Sequence, residues 1–210
     1  MKKGNEIVFI IDDDESVRSS LSLFLQIKDY QVETFESAEE YLLRELYQGP
    51  GCIILDVNMS GKSGPELQDV LISRSSHHPV IFITGYGNIQ MGVNTVKKGA
   101  VNYLEKPFRE EELLQSLSEA LELSHKTLSE NDEISKAKQL IQKLTLRELE
   151  ILKYIMTGML NKQIAPKLNI GEHTVKIHRM NICEKIGVKS VPEIIRIANK
   201  AGIAPSDNIN

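Results

Sequence analysis

The chain has 210 residues, 41% of them hydrophobic and 26% charged, which suits one large or two small globular domains. No apolar run approaches the ~20 residues that cross a membrane, and residues 1–6 lead directly into a strand pattern without a signal peptide. We therefore expect a cytoplasmic protein with no membrane partner. Cys52 and Cys183 lack metal-ligand spacing, so we expect free thiols.

The net charge of −4 conceals an asymmetry between the two parts of the chain. Residues 1–124 contain 11 Lys and Arg against 20 Asp and Glu, whereas residues 125–210 contain 14 against 9. A basic second part suggests a nucleic-acid partner. Chance clustering of charges on solvated faces explains the same asymmetry. Charge alone therefore does not establish a nucleic-acid partner.

Strand and helix patterns alternate over the first 124 residues. Short segments rich in Ile and Val predict strands at 6–11, 31–35, 51–56, 79–84 and 101–105. Helical apolar stripes lie between them: Leu21, Phe24 and Leu25, then Tyr41, Leu42 and Leu46, then Leu67, Val70 and Leu71. Ser37 and Glu40 predict a capping box before the second helix. This alternation predicts an α/β fold, a doubly wound (βα)5 domain.

Polar side chains follow three of these strands. Asp12 and Asp13 follow the first strand, Asp56 ends the third and Lys106 follows the fifth. Because ligands of an open parallel sheet bind outside the carboxyl ends of its strands, we expect one shared site. Gathered carboxylates repel each other unless a cation lies between them, which favours Mg²⁺ and phosphate chemistry over an acid/base dyad.

A carboxylate at such a site can act as a nucleophile and form an aspartyl phosphate. The transition state needs positive charge and hydrogen-bond donors, which Lys106 and Thr84 supply. Taken singly, each residue has a structural alternative. Asp12 or Asp13 could be the N-cap of a helix. Lys106 could be a surface lysine, and Thr84 could be a turn residue at the end of a strand.

Residues 1–124 resemble a response-regulator receiver domain, on the segments IIDDD (10–14), LDVNM (55–59), FITG (82–85) and YLEKPF (103–108). The resemblance implies a parallel sheet in the order 2-1-3-4-5, with Asp56 as the phosphoacceptor. It implies Mg²⁺ held by Asp13, Asp56 and the Asn58 main-chain carbonyl, with Asp12 acting mostly through water. It also implies a switch pair, Thr84 and Tyr103, and a cis peptide bond before Pro107.

One position departs from the receiver pattern, which usually has Met-Pro where this chain has Met59-Ser60. Because proline fixes φ, Ser60 predicts a more mobile loop. We expect altered phosphorylation or dephosphorylation rates rather than loss of function.

Residues 125–143 predict a helical linker, with a coiled-coil seam left open, and residues 144–210 predict an all-α domain of four helices. Asn161 fits the N-cap of a short helix, Gly171 a tight turn, and a further helix begins near Glu172. Helix, short turn and helix is the geometry that places the second helix in the major groove of DNA.

The second of these helices has two faces. Val175, Ile182 and Ile186 predict the buried face, beside which His178 packs. On the other face, Lys176 could donate hydrogen bonds to guanine or to phosphate. Ile177 and Met180 could contact thymine methyl groups. Further candidate DNA contacts, chiefly to phosphate, are Asn161, Lys162, His173, Thr174, Arg179, Lys185 and Lys189.

Residues 144–202 resemble the LuxR-type helix-turn-helix of the NarL/FixJ response regulators, on the strings NKQIA (161–165) and TVKIH (174–178), with the first half most similar to the FixJ branch. Pro166 inside the first helix departs from an ideal helix, because it removes one hydrogen bond. The resemblance implies a transcription regulator, not an enzyme. A sensor histidine kinase phosphorylates it with Mg²⁺, it forms a homodimer, and it acts on promoter DNA, with RNA polymerase as a further partner.

Three alternatives stay open. The first is an Asp-nucleophile phosphatase, which typically has a second Asp where this chain has Asn58. The second is a dinucleotide-binding domain around Gly85-Tyr86-Gly87, which lacks the third glycine of the fingerprint. The third is a DNA-binding regulator with a receiver that no longer responds to phosphate.

Overall fold

The structure, a computed structural model, describes residues 5–85 and 89–206, and only the backbone of residues 89–91. The chain forms two compact units, Met1–Leu128 and Ser129–Asn210. Within the described ranges, no helix has the length and apolar character needed to span a membrane.

The first unit is built on a five-stranded parallel sheet with the order β2-β1-β3-β4-β5, which confirms the predicted topology. Each predicted strand is present, with ends within one residue of the prediction. The strands are β1 (Ile7–Ile11), β2 (Gln31–Phe35), β3 (Gly51–Asp56), β4 (Val80–Thr84) and β5 (Asn102–Glu105).

Successive residues of the central strands enter two cores, because neighbouring side chains on a strand point to opposite faces. Ile10, Ile54 and Ile83 pack on one face with Leu25 and Leu117 from two helices. The other face contains Phe9, Ile53, Leu55, Phe82, Tyr41, Leu67 and Leu71. Burial on both faces explains why these strands are continuously apolar.

Four helices of the first unit connect its strands: α1 (Glu15–Ile27), α2 (Ala38–Leu43), α3 (Gly64–Ser73) and α4 (Ile89–Lys97). Asp14, rather than Asp12 or Asp13, is the N-cap of α1, and its carboxylate accepts the Ser16 amide at 2.8 Å. Ser37 caps α2 by accepting the Glu40 amide at 3.2 Å. Leu46 was wrongly assigned to the α2 stripe, because the helix ends at Leu43 and Leu46 is exposed.

Helix α5 (Glu110–Ile141) contains most of the predicted linker. In the first unit, Leu113, Leu117 and Leu121 are buried against the sheet. In the second unit, Ala137 and Ile141 belong to the core of the helical domain. The helix is continuous through residues 125–141, and its two ends serve different cores.

The second unit contains α6 (Leu146–Met156), α7 (Asn161–Lys167), α8 (Glu172–Ile186) and α9 (Val191–Lys200). Its core is formed by Ile151, Leu152, Ile155, Ile164, Val175, Ile182, Ile186, Ile194 and Ala198, together with the end of α5. Asn161 was wrongly predicted as an N-cap. It is the first residue of α7, and the amide of the preceding Leu160 donates to the Gln163 side chain at 2.8 Å. Pro166 lies in the last turn of α7, and its missing N–H group removes one hydrogen bond to the preceding turn.

Candidate functional site

Three of the predicted polar groups meet at the carboxyl edge of the sheet. The Lys106 ammonium lies 2.7 Å from Asp12 Oδ2 and 2.7 Å from Asp56 Oδ1. Asp12 follows β1 and Asp56 ends β3, and these strands are neighbours at the point where the strand order reverses. The long lysine side chain reaches them from the loop after β5. The peptide bond between Lys106 and Pro107 is cis, as the resemblance implied.

Burial and pairing act in opposite directions on this cluster. Asp12 and Asp56 are 1% and 5% exposed, so little water screens their charges. Burial raises the pKa of Asp56, and the hydrogen bond from Lys106 offsets part of that rise. Burial lowers the Lys106 pKa, but its hydrogen bonds to the two carboxylates outweigh this, so the net shift is upward. The arrangement is one buried cation held between two buried carboxylates.

The predicted metal ligands supply the hard oxygen donors that Mg²⁺ prefers. The three carboxylates of Asp12, Asp13 and Asp56 and the main-chain carbonyl of Asn58 follow neighbouring strands. In the part of the chain that the structure describes, however, no three acidic, histidine or cysteine side chains are gathered closely enough to hold a metal ion. Asp13 is exposed, and its Oδ2 accepts the backbone amide of Ser60 at 2.8 Å. The chemistry of these oxygen donors, three carboxylates and one carbonyl at the same sheet edge, fits Mg²⁺.

Two further residues shape the acidic edge, and sequence analysis missed both. Gly64 begins α3 directly beneath Asp56, and a Cβ there would lie 2.3 Å from the Asp56 carbonyl oxygen. Arg18 of α1 donates to the Asp12 carbonyl at 2.6 Å. Gly64 was recognisable only as a turn residue, and Arg18 carried no pattern that distinguished it.

The predicted switch residues lie on the neighbouring strands β4 and β5. Thr84 is fully buried, and its carbonyl accepts the Lys106 amide at 2.7 Å. The Tyr103 ring packs against α4, where a Cβ on Gly92 would lie 3.3 Å from ring atoms. The Tyr103 hydroxyl is buried and finds no hydrogen-bond partner among the described residues. Of the Gly85-Tyr86-Gly87 segment, only Gly85 lies within them.

The α8 helix carries the predicted DNA-reading face. Val175, Ile182 and Ile186 are buried, which confirms the predicted core face. Ile177 and Met180 are 41% and 61% exposed, so both apolar side chains lie on the surface. The other exposed polar candidates on or beside this helix are Lys162, His173, Thr174, Lys176 and Lys189, and Asn161 is half-buried.

Two basic candidates are engaged within the protein instead. Lys185 donates to Glu148 Oε2 at 2.7 Å, and Glu148 is only 3% exposed. Arg179 is half-buried and donates to the Met159 carbonyl at 3.4 Å, and burial lowers its pKa. Lys185 is therefore paired within the protein in this structure, and its assignment as a phosphate contact stays a prediction. His178 packs as predicted, with its Nδ1 buried and unpartnered in the described structure.

Family comparisons divide the chain in the same way. The profile of the response regulator receiver domain matches residues 8–118, and that of the bacterial regulatory proteins of the luxR family matches residues 142–198. The response regulator protein TodT of Pseudomonas putida is 40% identical over 200 residues, covering 95% of this chain and 88% of TodT. The transcriptional regulatory protein FixJ of Rhizobium meliloti is 34% identical over 199 residues, covering 95% and 98%.

Solved structures agree with these relatives. The response regulator StyR is 39% identical and superposes with a TM-score of 0.81, over 93% of this chain and 98% of StyR. Full-length FixJ from B. japonicum is 29% identical with a TM-score of 0.58, over 96% and 98%. The relatives are transcription regulators, which removes the phosphatase and dinucleotide-binding alternatives. The chain belongs to the NarL/FixJ family of response regulators, with a receiver domain and a LuxR-type DNA-binding domain.

Proposed function

We propose that this response regulator accepts a phosphoryl group on Asp56 from a sensor histidine kinase, with Mg²⁺, and that the modification switches its binding to promoter DNA. The observation that carries the proposal is the Lys106 ammonium, 2.7 Å from both Asp12 and Asp56 at the sheet edge. A buried carboxylate beside a fixed cation is the arrangement that an anionic transition state requires.

The reaction follows from the positions of these groups. A carboxylate oxygen of Asp56 attacks the phosphorus of a phosphohistidine, the P–N bond breaks, and the histidine leaves with the electron pair and takes up a proton. Lys106 favours the ionised form of Asp56 and then pairs with the transferred phosphoryl oxygens. Thr84 supplies a hydroxyl from the end of the next strand.

Asp13, Asp56 and the Asn58 main-chain carbonyl would hold the Mg²⁺ ion, with Asp12 acting through water. When bound, the cation neutralises charge on the phosphoryl oxygens and on the acidic cluster. The Asn58 amide already donates to Asp56 Oδ2 at 2.7 Å, which orients the nucleophile before the substrate arrives.

The output is transcription, and we infer that phosphorylation activates it. Thr84 and Tyr103 relay the new charge to the face formed by α4, β5 and α5, where Val93 and Val96 are each 47% exposed. Two receivers pair through this face, and a homodimer then reads two half-sites on double-stranded DNA. RNA polymerase is the partner that activation implies, and these events take place in the cytoplasm.

Each of three segments of the chain has its own function. Residues 1–124 receive the phosphoryl group, residues 125–143 link the domains, and residues 144–210 bind DNA. Lys162, His173, Thr174 and Lys176 are exposed and contact bases or phosphates, and Ile177 and Met180 contact thymine methyl groups. Asn161 and Arg179 are only partly exposed and contribute secondary contacts.

Phosphoryl uptake tests the receiver half of this proposal. The protein is incubated with acetyl phosphate, and the phosphorylated form is resolved with Mg²⁺, with a chelator, and in an Asp56→Asn variant. We expect uptake only when both Mg²⁺ and Asp56 are present. A folded wild-type protein that takes up no phosphoryl group would favour a receiver that no longer responds to phosphate.

A further inference from the structure

A buried glutamine joins α3 to α4. Gln68 of α3 and Thr95 of α4 are each 2% exposed, and Gln68 Nε2 donates to the Thr95 carbonyl oxygen at 3.1 Å. This bond sets the orientation of the side-chain amide, because the reverse orientation would place one oxygen against another. The Gln68 Oε1 atom is buried and has no hydrogen-bond partner among the described residues.

The chemistry of this position favours a geometric role for Gln68. A buried acceptor without a partner costs about as much free energy as one neutral hydrogen bond contributes. An unbranched apolar side chain of similar length, such as methionine, would fill the same space without that cost. A directional bond, however, fixes the relative position of the two helices, which apolar packing does less strictly.

The start of α3 is fixed beneath the proposed phosphoacceptor. The Gly64 amide donates to the Val57 carbonyl at 3.1 Å, and a Cβ on Gly64 would lie 2.3 Å from the Asp56 carbonyl oxygen. Gln68 follows Gly64 by four residues, about one helical turn. The position of the Gln68 side chain therefore depends on the backbone at Asp56.

The other end of the bond lies in the part of α4 that covers Tyr103. The Thr95 hydroxyl donates to the Gly92 carbonyl at 2.9 Å, and a Cβ on Gly92 would lie 3.3 Å from atoms of the Tyr103 ring. The Thr95 carbonyl also accepts the Ala100 amide at 3.0 Å, so the turn after α4 is attached at the same atom. The Gln68–Thr95 bond therefore connects the helix that begins at the phosphoacceptor with the helix that packs on Tyr103.

We propose that Gln68 is a positioning residue of the switch, whose bond to Thr95 holds α4 against Tyr103 in the unphosphorylated receiver and breaks on activation. The proposal rests on the proposed function, because activation means phosphorylation of Asp56. It adds a restraint from α3 to the relay through Thr84 and Tyr103. A bond present in only one of two states shifts the equilibrium between them by its own free energy. Gln68 therefore opposes activation until Asp56 is modified.

Two variants separate this buried bond from an exposed one between the same helices. Gln68→Met removes the amide and keeps a long unbranched side chain. Lys98→Met is the matched control, because Lys98 pairs with Asp69 of α3 at 2.6 Å, with side chains 46% and 56% exposed. Affinity for beryllofluoride, a stand-in for the phosphoryl group, is measured on the full chain at saturating Mg²⁺. We expect Gln68→Met to bind it about threefold to tenfold more tightly than wild type, and Lys98→Met to stay within about twofold.

A second measurement uses wild type alone and does not depend on the variant folding. The side-chain ¹H–¹⁵N resonances of Gln68 are followed as beryllofluoride is added. We expect a hydrogen-bonded amide without beryllofluoride that loses this bond as the site saturates. Resonances that stay unchanged through saturation would overturn the proposal.

The remaining outcomes distinguish a switch from a purely structural contact. Gln68→Met with reduced stability towards urea but wild-type affinity for beryllofluoride would show a structural contact only, and would overturn the positioning role. Weaker binding by Gln68→Met would overturn it as well, because the bond would then favour the activated state. A folded wild-type protein that binds no beryllofluoride with Mg²⁺ would overturn the positioning role together with the proposed function.

Discussion

The pair formed by Lys185 and Glu148 gives the sharpest test of how surface charge is used in the helical domain. Glu148 is 3% exposed and also accepts the Thr145 backbone amide at 2.8 Å, closing a capping box at the start of α6. Burial raises the Glu148 pKa, but the bonds from Lys185 and Thr145 more than offset this, and the net pKa lies below the usual value. Lys185→Met leaves this carboxylate buried without its cation.

The expected cost follows from the exposure of the two partners. Breaking a fully buried ion pair by removing one partner costs about 3–5 kcal/mol. The Lys185 side chain is 36% exposed, so water can partly replace the ammonium, and Thr145 still donates to Glu148. We therefore expect Lys185→Met to lower the free energy of unfolding of the helical domain by about 2 kcal/mol.

The assay combines urea unfolding with DNA binding at several salt concentrations. Lys176→Met is the matched control, because Lys176 is an exposed residue of the same helix. We expect Lys176→Met to change stability by less than about 0.5 kcal/mol. It should reduce the slope of log affinity against log salt by about 0.9, the share of one phosphate contact. Lys185→Met should leave that slope unchanged while the domain is folded, and Glu148→Gln in the same chain should restore part of the lost stability.

A Lys185→Met variant as stable as wild type would refute the reasoning from burial. A salt slope that falls in Lys185→Met as it does in Lys176→Met would show that Lys185 leaves Glu148 to contact DNA. Only the second result would support Lys185 as one of the phosphate contacts that the sequence suggested.

Three further predictions concern the receiver, each measured by urea unfolding followed through receiver resonances. Lys106→Met leaves Asp12 and Asp56 buried without a cation, so we expect a loss of about 2–4 kcal/mol in chelator and partial recovery with Mg²⁺; no loss would contradict the pairing. Gly64→Ala places a Cβ 2.3 Å from the Asp56 carbonyl oxygen, so we expect a loss of about 2–3 kcal/mol, and a neutral change would show that α3 shifts freely. Burial lowers the pKa of His78 from 6.5 to about 4, so the unfolded chain takes up a proton first as the pH falls. Stability contributed by neutral His78 is present above pH 6.5 and is lost towards pH 4, by up to about 3 kcal/mol, and His78→Gln should flatten this dependence.

The receiver fold was predictable because its pattern is local. Strands β1, β3 and β4 are apolar at nearly every position. Such short apolar segments are typical of strands in a parallel sheet that is covered on both faces. Turn residues and charged helices separate them. The polar residues at their ends therefore fell at one edge of the sheet, and Asp12, Asp56 and Lys106 meet there as expected.

Sequence analysis misplaced two helix ends and missed one contact between residues far apart in the chain. Lys185 has the helical position of a surface lysine, and nothing near it in sequence shows that Glu148 is buried beside it. Asn161 has a strong preference for an N-cap, but the Gln163 side chain accepts the Leu160 amide and starts the helix there. Leu46 follows helical spacing, although its helix ends three residues earlier.

The Ser60 amide shows a different limit. Sequence comparison treats a serine in place of proline as the loss of a constraint. Serine has a backbone N–H group, which an analysis of side-chain patterns does not consider. In the structure this group donates a hydrogen bond to Asp13. Residue patterns identified the acidic site, whereas the state of its third carboxylate depends on backbone geometry.

The central claim is that phosphorylation of Asp56 controls DNA binding. It is tested most directly by selecting DNA from a random duplex library with the full chain, with and without beryllofluoride and Mg²⁺, in wild type and in Asp56→Asn. The account predicts that wild type with beryllofluoride enriches a motif of two symmetric half-sites, and that Asp56→Asn does not. The same motif and affinity in all four samples would contradict it, because DNA binding would then be independent of the acidic site.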